Sequence, residues 1–331
     1  MSFFSGLWQY VPSFFTQADM HSQTVHTSGN FQPRPIDVVV VKAMLGRSSQ
    51  MPPEVVDMII DHAEYWPHCE AVIERPARQS IRISGGRRDR ENALILRSPP
   101  VGFGQDSVAQ PDEWISTQAA PQPLREAAPV DAFQKLGAAT TLEHPVRKVV
   151  FTLRSRDQGW GGAAQDRGTF EGSCTWFEAG LERFEGRGED EGKGEDEGRG
   201  EGEEKETRSP PDRPFQVADL RPVYPETEVV EDAPRYKHPI SPNEQHKIQC
   251  NRTATGMVAD YRIVWSWTDN TEPDSPEAEQ LARRGRGKLS GSGEFVRSLR
   301  LGDVVTIWAK ARFPGWANQV QKVGVEVYWA V

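Results

Sequence analysis

The chain has 331 residues, of which 37% are hydrophobic, 29 are glycine and 25 are proline, so one main core is expected and much of the rest lies outside it. Its net charge of −9 is concentrated: Glu185 to Glu206 holds eleven acids and four bases, and the remainder is nearly neutral, without the basic face that nucleic-acid binding requires. Three widely spaced cysteines, Cys69, Cys174 and Cys250, suggest neither a disulfide framework nor a CxxC zinc site and point to a reducing, intracellular setting, cytoplasmic or nuclear.

Residues 1–35 read as a flexible tail with one short amphipathic stretch. Phe3, Phe4, Leu7, Trp8, Val11, Phe14 and Phe15 follow helical spacing, and Pro12 breaks the helix after about two turns. No Lys or Arg precedes Arg34, so a cationic signal-peptide start and an Arg-rich transit peptide are both missing. No run reaches the roughly 18 apolar residues of a spanning helix. The stripe is open to docking on a protein, to resting on a membrane surface, or to disorder.

Residues 36–76 form a small helical segment. Pro52 and Pro53 fit only a first turn, Glu54 and Asp57 suit the positive end of a helix, and Pro67 stops it. The spacing predicts Val55, Met58, Ile59, Ala63 and Trp66 on one face, opposite Asp57, Asp61 and Glu64, so the helix must cover something. The preceding "VVVVKAML" suits a strand or a helix equally. Residues 77–143, rich in Pro, Gln, Ala and Arg, read as a linker that buries too little apolar area to offset its chain entropy, with hints of order only at "NALILR" and "DAFQKL".

From 144 to 331 the beat becomes period two. "VRKVVFTLRS", "GTFEGSCTWFEAG", "ADYRIVWSWT", "DVVTIWAKAR" and "VGVEVYWAV" each alternate in the manner of a strand with one buried face, and Gly/Pro-rich loops separate them. In the second, Phe170, Cys174 and Trp176 are expected to share a face opposite Phe177. The fold class predicted is mainly β, an antiparallel β-sandwich of jelly-roll type, with the small helical segment before it and long disordered stretches. Between about 184 and 214 the hexads "RGEDEG", "KGEDEG" and "RGEGEE" carry like charge and glycine, and are expected to form a disordered loop that the domain tolerates.

No catalytic motif is present. Asp157, Asp166, Glu171 and Glu178 lie near aromatics, but nothing fixes two of them as an acid and a base, and His62 and His68 stand six apart, off a common helix face. No metal and no cofactor is implied. The tryptophans carry the binding signal instead. Trp265, Trp267 and Trp329 sit in strands and read as core, whereas Trp160 in "RDQGWGG" and Trp316 in "RFPGWANQV" sit in glycine-marked loops. These two either plug the end of the sandwich or contact a peptide or glycan, with Arg154, Asp157 and Asn318 as candidate polar partners.

"RDQGWGG", "GTFEGSCTWFEAGLERF", "IVWSWTDNT" and "RFPGWANQVQKVGVEVYWAV" resemble a C-terminal domain recurring in uncharacterised fungal proteins, over roughly residues 146 to 331. That resemblance implies no activity. "MPPEVVDMIIDHAEYW" resembles the opening of an F-box, with Met51, Pro52, Glu54, Val55 and Ile59 at corresponding places. It implies a helix that docks, through Pro52, Val55, Met58 and Ile59, on the adaptor subunit of a ubiquitin ligase. The function expected is a non-catalytic binding or adaptor protein with a protein partner; the alternative is a carbohydrate-binding, lectin-like or carbohydrate-active protein.

Overall fold

The computed structural model describes residues 31–136, 142–186 and 214–331. The aromatic N-terminal stretch and the acidic hexads lie outside the described residues. Residues Pro33–Val331 form one unit, mainly β, with twelve described strands, all paired antiparallel.

Two five-stranded sheets face each other. The first centres on β12 (Ala317–Trp329), which pairs along one side with β4 (Val146–Arg156), itself paired to β10 (Ala259–Ser266). Along its other side β12 is long enough to take two short strands end to end, β1 (His68–Glu74) and β2 (Ile81–Ser84). The second sheet runs β3 (Asn92–Arg97), β11 (Val304–Ala311), β5 (Thr175–Phe184) and β6 (Leu220–Tyr224), with β9 (Lys247–Cys250) also on β5. A separate hairpin joins β7 (Thr227–Val230) to β8 (Ala233–Tyr236).

Period-two alternation builds the core. Val149, Phe151, Leu153, Ile263, Trp265, Val323, Val325 and Val327 of the first sheet meet Leu96, Phe177, Ala179, Leu181, Val305, Ile307, Ala309 and Ala311 of the second in one buried cluster. Trp265 fills this core as the sequence predicts, edge-on to Phe151 at 4.8 Å and to Phe295 at 5.1 Å.

Two expectations are corrected. The strand expected over "GTFEGSCTWFEAG" begins only at Thr175, because Gly168 and Gly172 take positive φ and turn the preceding chain into a loop. Phe177 therefore faces the core, while Trp176 shares the opposite face with Glu178. Second, the stretch expected as a linker over 77–143 is not one in its described part: residues 77–136 supply β2, β3 and the short helices α3 (Pro111–Ser116) and α4 (Val130–Gln134), and bury Leu96, Val101, Trp114 and Phe133. Segment by segment their apolar content is low, but sheet edges already formed by β12 and β11 give each short strand a partner. The helix that must cover something covers the end of the sandwich. Two antiparallel-packed helices, α1 (Pro35–Ser49) and α2 (Pro53–His62), bury Val38, Ile60 and Trp66 against Tyr328 and Val331 at the end of β12.

On α2 it is Val56 and Ile60 that point inward, one position round from the predicted face. Val55, Met58 and Ile59 stay exposed, and Ala63 does too. After α2 the chain passes into β1, where an F-box would continue for two more helices.

Candidate functional site

At one end of the sandwich three loops meet: 157–163 after β4, 252–258 before β10, and the turn 312–316 between β11 and β12. Asp157 organises them. Its side chain is fully buried, and its two oxygens accept backbone N–H bonds from Gly159 (3.0 Å), Gly256 (2.9 Å) and Ala254. A carboxylate ringed by amide donors in this way is a fixed internal anion that holds loop to loop. Gly159 and Gly256 then touch backbone to backbone: a Cβ on Gly159 would lie 3.3 Å from the Gly256 Cα.

On this clamp rests a platform of rings. Trp160 is 61% exposed and its ring packs on Gly315, whose φ is +92° and whose Cβ, if present, would meet the Trp160 ring at 2.6 Å. Only glycine fits there. Phe313 is 55% exposed at a φ of 63° and Met257 is 73% exposed, so two more apolar side chains flank the site. Trp316 is half-buried and packs against Gly161 and Gly162. Ala254 and Phe313 adopt left-handed backbone, a strained choice for residues with a side chain, kept where surrounding structure enforces it.

The sequence candidates thus separate. Trp160 is exposed, whereas Trp316 is half-buried against Gly161 and Gly162. Asn318 is not available to a ligand: it is fully buried, accepts from Asn251 Nδ2 at 2.9 Å and donates to the Trp176 carbonyl at 3.2 Å. With Ser155, which donates to Asn251 Oδ1 at 2.7 Å, and Thr175, it forms a polar bridge between the sheets directly beneath the platform. Arg154 lies apart, on the solvent face of the first sheet, in a ladder of alternating charge with Asp260 (2.7 Å) and Glu74 (3.5 Å). Phe313 and Met257 were not singled out from the sequence; the "RFPGW" turn contained the signal for the first, whereas Met257 has none.

The outer face of the second sheet was also invisible in the sequence. Glu178 and Lys310 are both fully buried there and pair at 2.5 Å. The Glu178 carboxylate also accepts from Trp176 Nε1 (2.8 Å), Tyr224 Oη (2.7 Å) and the Asn243 backbone (3.1 Å). Burial pushes the Glu178 carboxyl up, but Lys310, Trp176 and Tyr224 together hold it below the usual carboxylate range. Burial likewise draws the Lys310 ammonium down. Arg97 repeats the pattern with Glu182 at 2.6 Å and donates to the Trp114 and Thr117 carbonyls. Four donors saturate Glu178, which leaves it no lone pair for a substrate, so this layer is structural.

The second candidate face is at the opposite end. Asp61 ties the helical hairpin down by accepting from Arg147 (3.0 Å) and Trp66 Nε1 (2.9 Å), and Lys42 pairs with Asp57 at 2.7 Å. With the hairpin so fixed, Met58 is 70% exposed and Met44 63%, beside exposed Ile36, Val39, Val40, Val55 and Ile59. Pro52 is exposed as well. All four partner-binding candidates therefore lie on the accessible side. Among the described residues no group of His, Cys, Asp and Glu is arranged to hold a metal ion, and no helix is long and apolar enough to cross a membrane.

No known protein-family model matches the chain, and neither a curated protein nor a solved structure is significantly similar to it.

Proposed function

We propose that the chain is a non-catalytic adaptor that holds one protein on the outer side of the α1–α2 hairpin and another on the Trp160 platform. The supporting observation is the placement of two exposed apolar surfaces at the two ends of the same strands. β4 runs from Val146, beside the hairpin, to Arg156, beside the platform, and β12 returns from Ala317 to Trp329. At about 3.3 Å per residue, β12 keeps the two surfaces roughly 40 Å apart. Each exceeds the scatter of single apolar residues found on ordinary surfaces. Following the F-box resemblance, the sharper form makes Pro52, Val55, Met58 and Ile59 the contact with the adaptor subunit of a ubiquitin ligase, and the platform the contact with the substrate.

A glycan is the weaker alternative for the platform. An exposed indole can stack on a sugar, but the side chains that would bond its hydroxyls, Asp157 and Asn318, are buried and already satisfied.

The test is affinity capture of the tagged full chain with mass spectrometry, repeated for Val55→Asp/Ile59→Asp and for Trp160→Ala. Two separate groups of partners are expected, one lost in each variant, with both variants unfolding like the wild type. Identical partner lists for all three proteins would overturn the two-ended reading.

A further inference from the structure

We infer that the platform takes an acidic peptide, the ring of Trp160 stacking on a proline or aromatic residue and the surrounding guanidinium groups meeting Asp or Glu side chains. This rests on the proposed role of the platform and names its ligand class.

The charge around the rings carries the inference. The turn 85–91 between β2 and β3 lies against the 312–316 turn: Gly85 N–H donates to the Trp316 carbonyl at 2.9 Å, and a Cβ on Gly86 would meet Pro314 Cγ at 2.8 Å. That contact brings Arg87, Arg88 and Arg90 beside the platform. Arg87 and Arg90 share Asp89, at 3.1 Å and 3.5 Å, whereas exposed Arg88 has no acidic partner among the described residues. Arg82 and Arg156 both stand opposite Gln319, one from each side, and so share its face of the sheet. Arg156 donates to Gln319 Oε1 at 2.9 Å and to the Gly256 carbonyl at 3.3 Å, next to Met257; Arg82 is exposed and has no acidic partner among the described residues. Over the four loops, and with Arg82 and Arg156, seven arginines, Arg252 and Arg312 among them, stand against Asp89, Glu91 and the buried Asp157, an excess of four positive charges in a chain whose total is −9. Farther along the same face Arg154 pairs with Asp260 and Glu74 and Lys148 with Glu64, while exposed Arg262 has no acidic partner among the described residues but has no exposed ring beside it comparable to Trp160.

Apolar rings inside a partly unpaired cationic rim suit an anionic ligand with one hydrophobic anchor. The excess is too small for nucleic acid, whose affinity grows with the number of phosphates neutralised. A short acidic peptide needs only a few cations, and the flat indole supplies the anchor.

The experiment uses the full chain and a fluorescent peptide in which glutamates flank a Pro-Tyr pair, a copy with glutamine in place of every glutamate, and a single-stranded oligothymidylate. Binding of the glutamate peptide is expected, weaker by about tenfold or more for the glutamine copy and for Arg82→Glu/Arg88→Glu, since each exposed charge pair contributes modestly. It should weaken with added salt and be lost in Trp160→Ala. Both arginines are exposed, and near-ultraviolet dichroism of the milder Arg82→Gln/Arg88→Gln protein checks that the fold is kept. Equal binding of the two peptides, indifference to either arginine pair, absence of binding to folded protein, or displacement of the peptide by the oligothymidylate would each overturn the inference. If Trp160→Ala still removes captured partners while no acidic peptide binds, the platform stands and only its ligand class falls.

Discussion

The His246 imidazole stacks on Tyr224 at 3.6 Å, and its Nδ1 lies 2.9 Å from the Ala179 carbonyl, which can only accept. The folded state therefore holds the neutral tautomer with the proton on Nδ1. Burial, reinforced by the nearby Lys310 charge against the opposing pull of that hydrogen bond and of Glu178, lowers this histidine from 6.5 to about 4. His238, beside Trp308, is drawn down to about 3 in the same way, by burial and then by Lys310 and Arg312. A histidine whose pKa falls on folding binds its proton more readily in the unfolded chain. Its contribution is therefore complete above about pH 6.5 and is lost as the pH drops toward 4, at up to about 1.4 kcal/mol per pH unit for each group. Glu178 acts further down: its lowered carboxyl contributes above the normal value of 4.5 and loses that contribution as acid protonates it. Urea midpoints measured from pH 7 to pH 4 should fall steadily, and His246→Asn, whose amide can still donate to Ala179, should have a visibly shallower slope. A slope equal to wild type would show that His246 is not held neutral in the fold.

Elements that alternate cleanly were readable, and for one physical reason: β4, β10, β11 and β12 each present a continuous apolar row to a large core, so the pattern survives whatever covers the other face. On β11 that other face is itself buried, and Thr306, Trp308 and Lys310 line a polar interior that period two marks merely as polar. β1 and β2 were not readable, and β3 showed only as the hint at "NALILR", because short segments such as "IRIS" acquire strand structure from the free edges of β12 and β11, partners that are 200 residues or more away in the chain. The platform loops fall between these cases. Glycine spacing around Trp160 marked a special backbone, but a polar residue beside it reads the same whether it meets a ligand or its own loops, and Asp157 meets its own loops. Asp157→Asn tests that role. The amide oxygen can still accept from Gly159 and Gly256, but its NH2 then faces the Ala254 N–H, donor against donor. The expected loss is about 1–3 kcal/mol in equilibrium unfolding, with faster amide exchange at Ala254 and Gly256. Stability within error of wild type would mean that the carboxylate is not the clamp.

Across the whole molecule the two candidate surfaces depend on one continuous body, because the strands that separate them are completed by residues far earlier in the chain. β12 has β1 and β2 along one side, and β11 has β3. Arg97 at the end of β3 neutralises Glu182, which is 1% exposed. A fragment of residues 144–331, the span in which the strand pattern is legible, would therefore expose one edge of each central strand and leave Glu182 buried without its cation. Unpaired edges invite association, and removing one member of a buried pair costs about 3–5 kcal/mol, a large share of the stability of an ordinary domain. Residues 33–331 should unfold in a single cooperative urea transition followed identically by tryptophan fluorescence and far-ultraviolet dichroism, whereas 144–331 should associate or melt without cooperativity. A fragment 144–331 that stays monomeric and unfolds as sharply as the longer chain would show that β1 to β3 are accessory, and that the hairpin and the platform can be separated without loss of either.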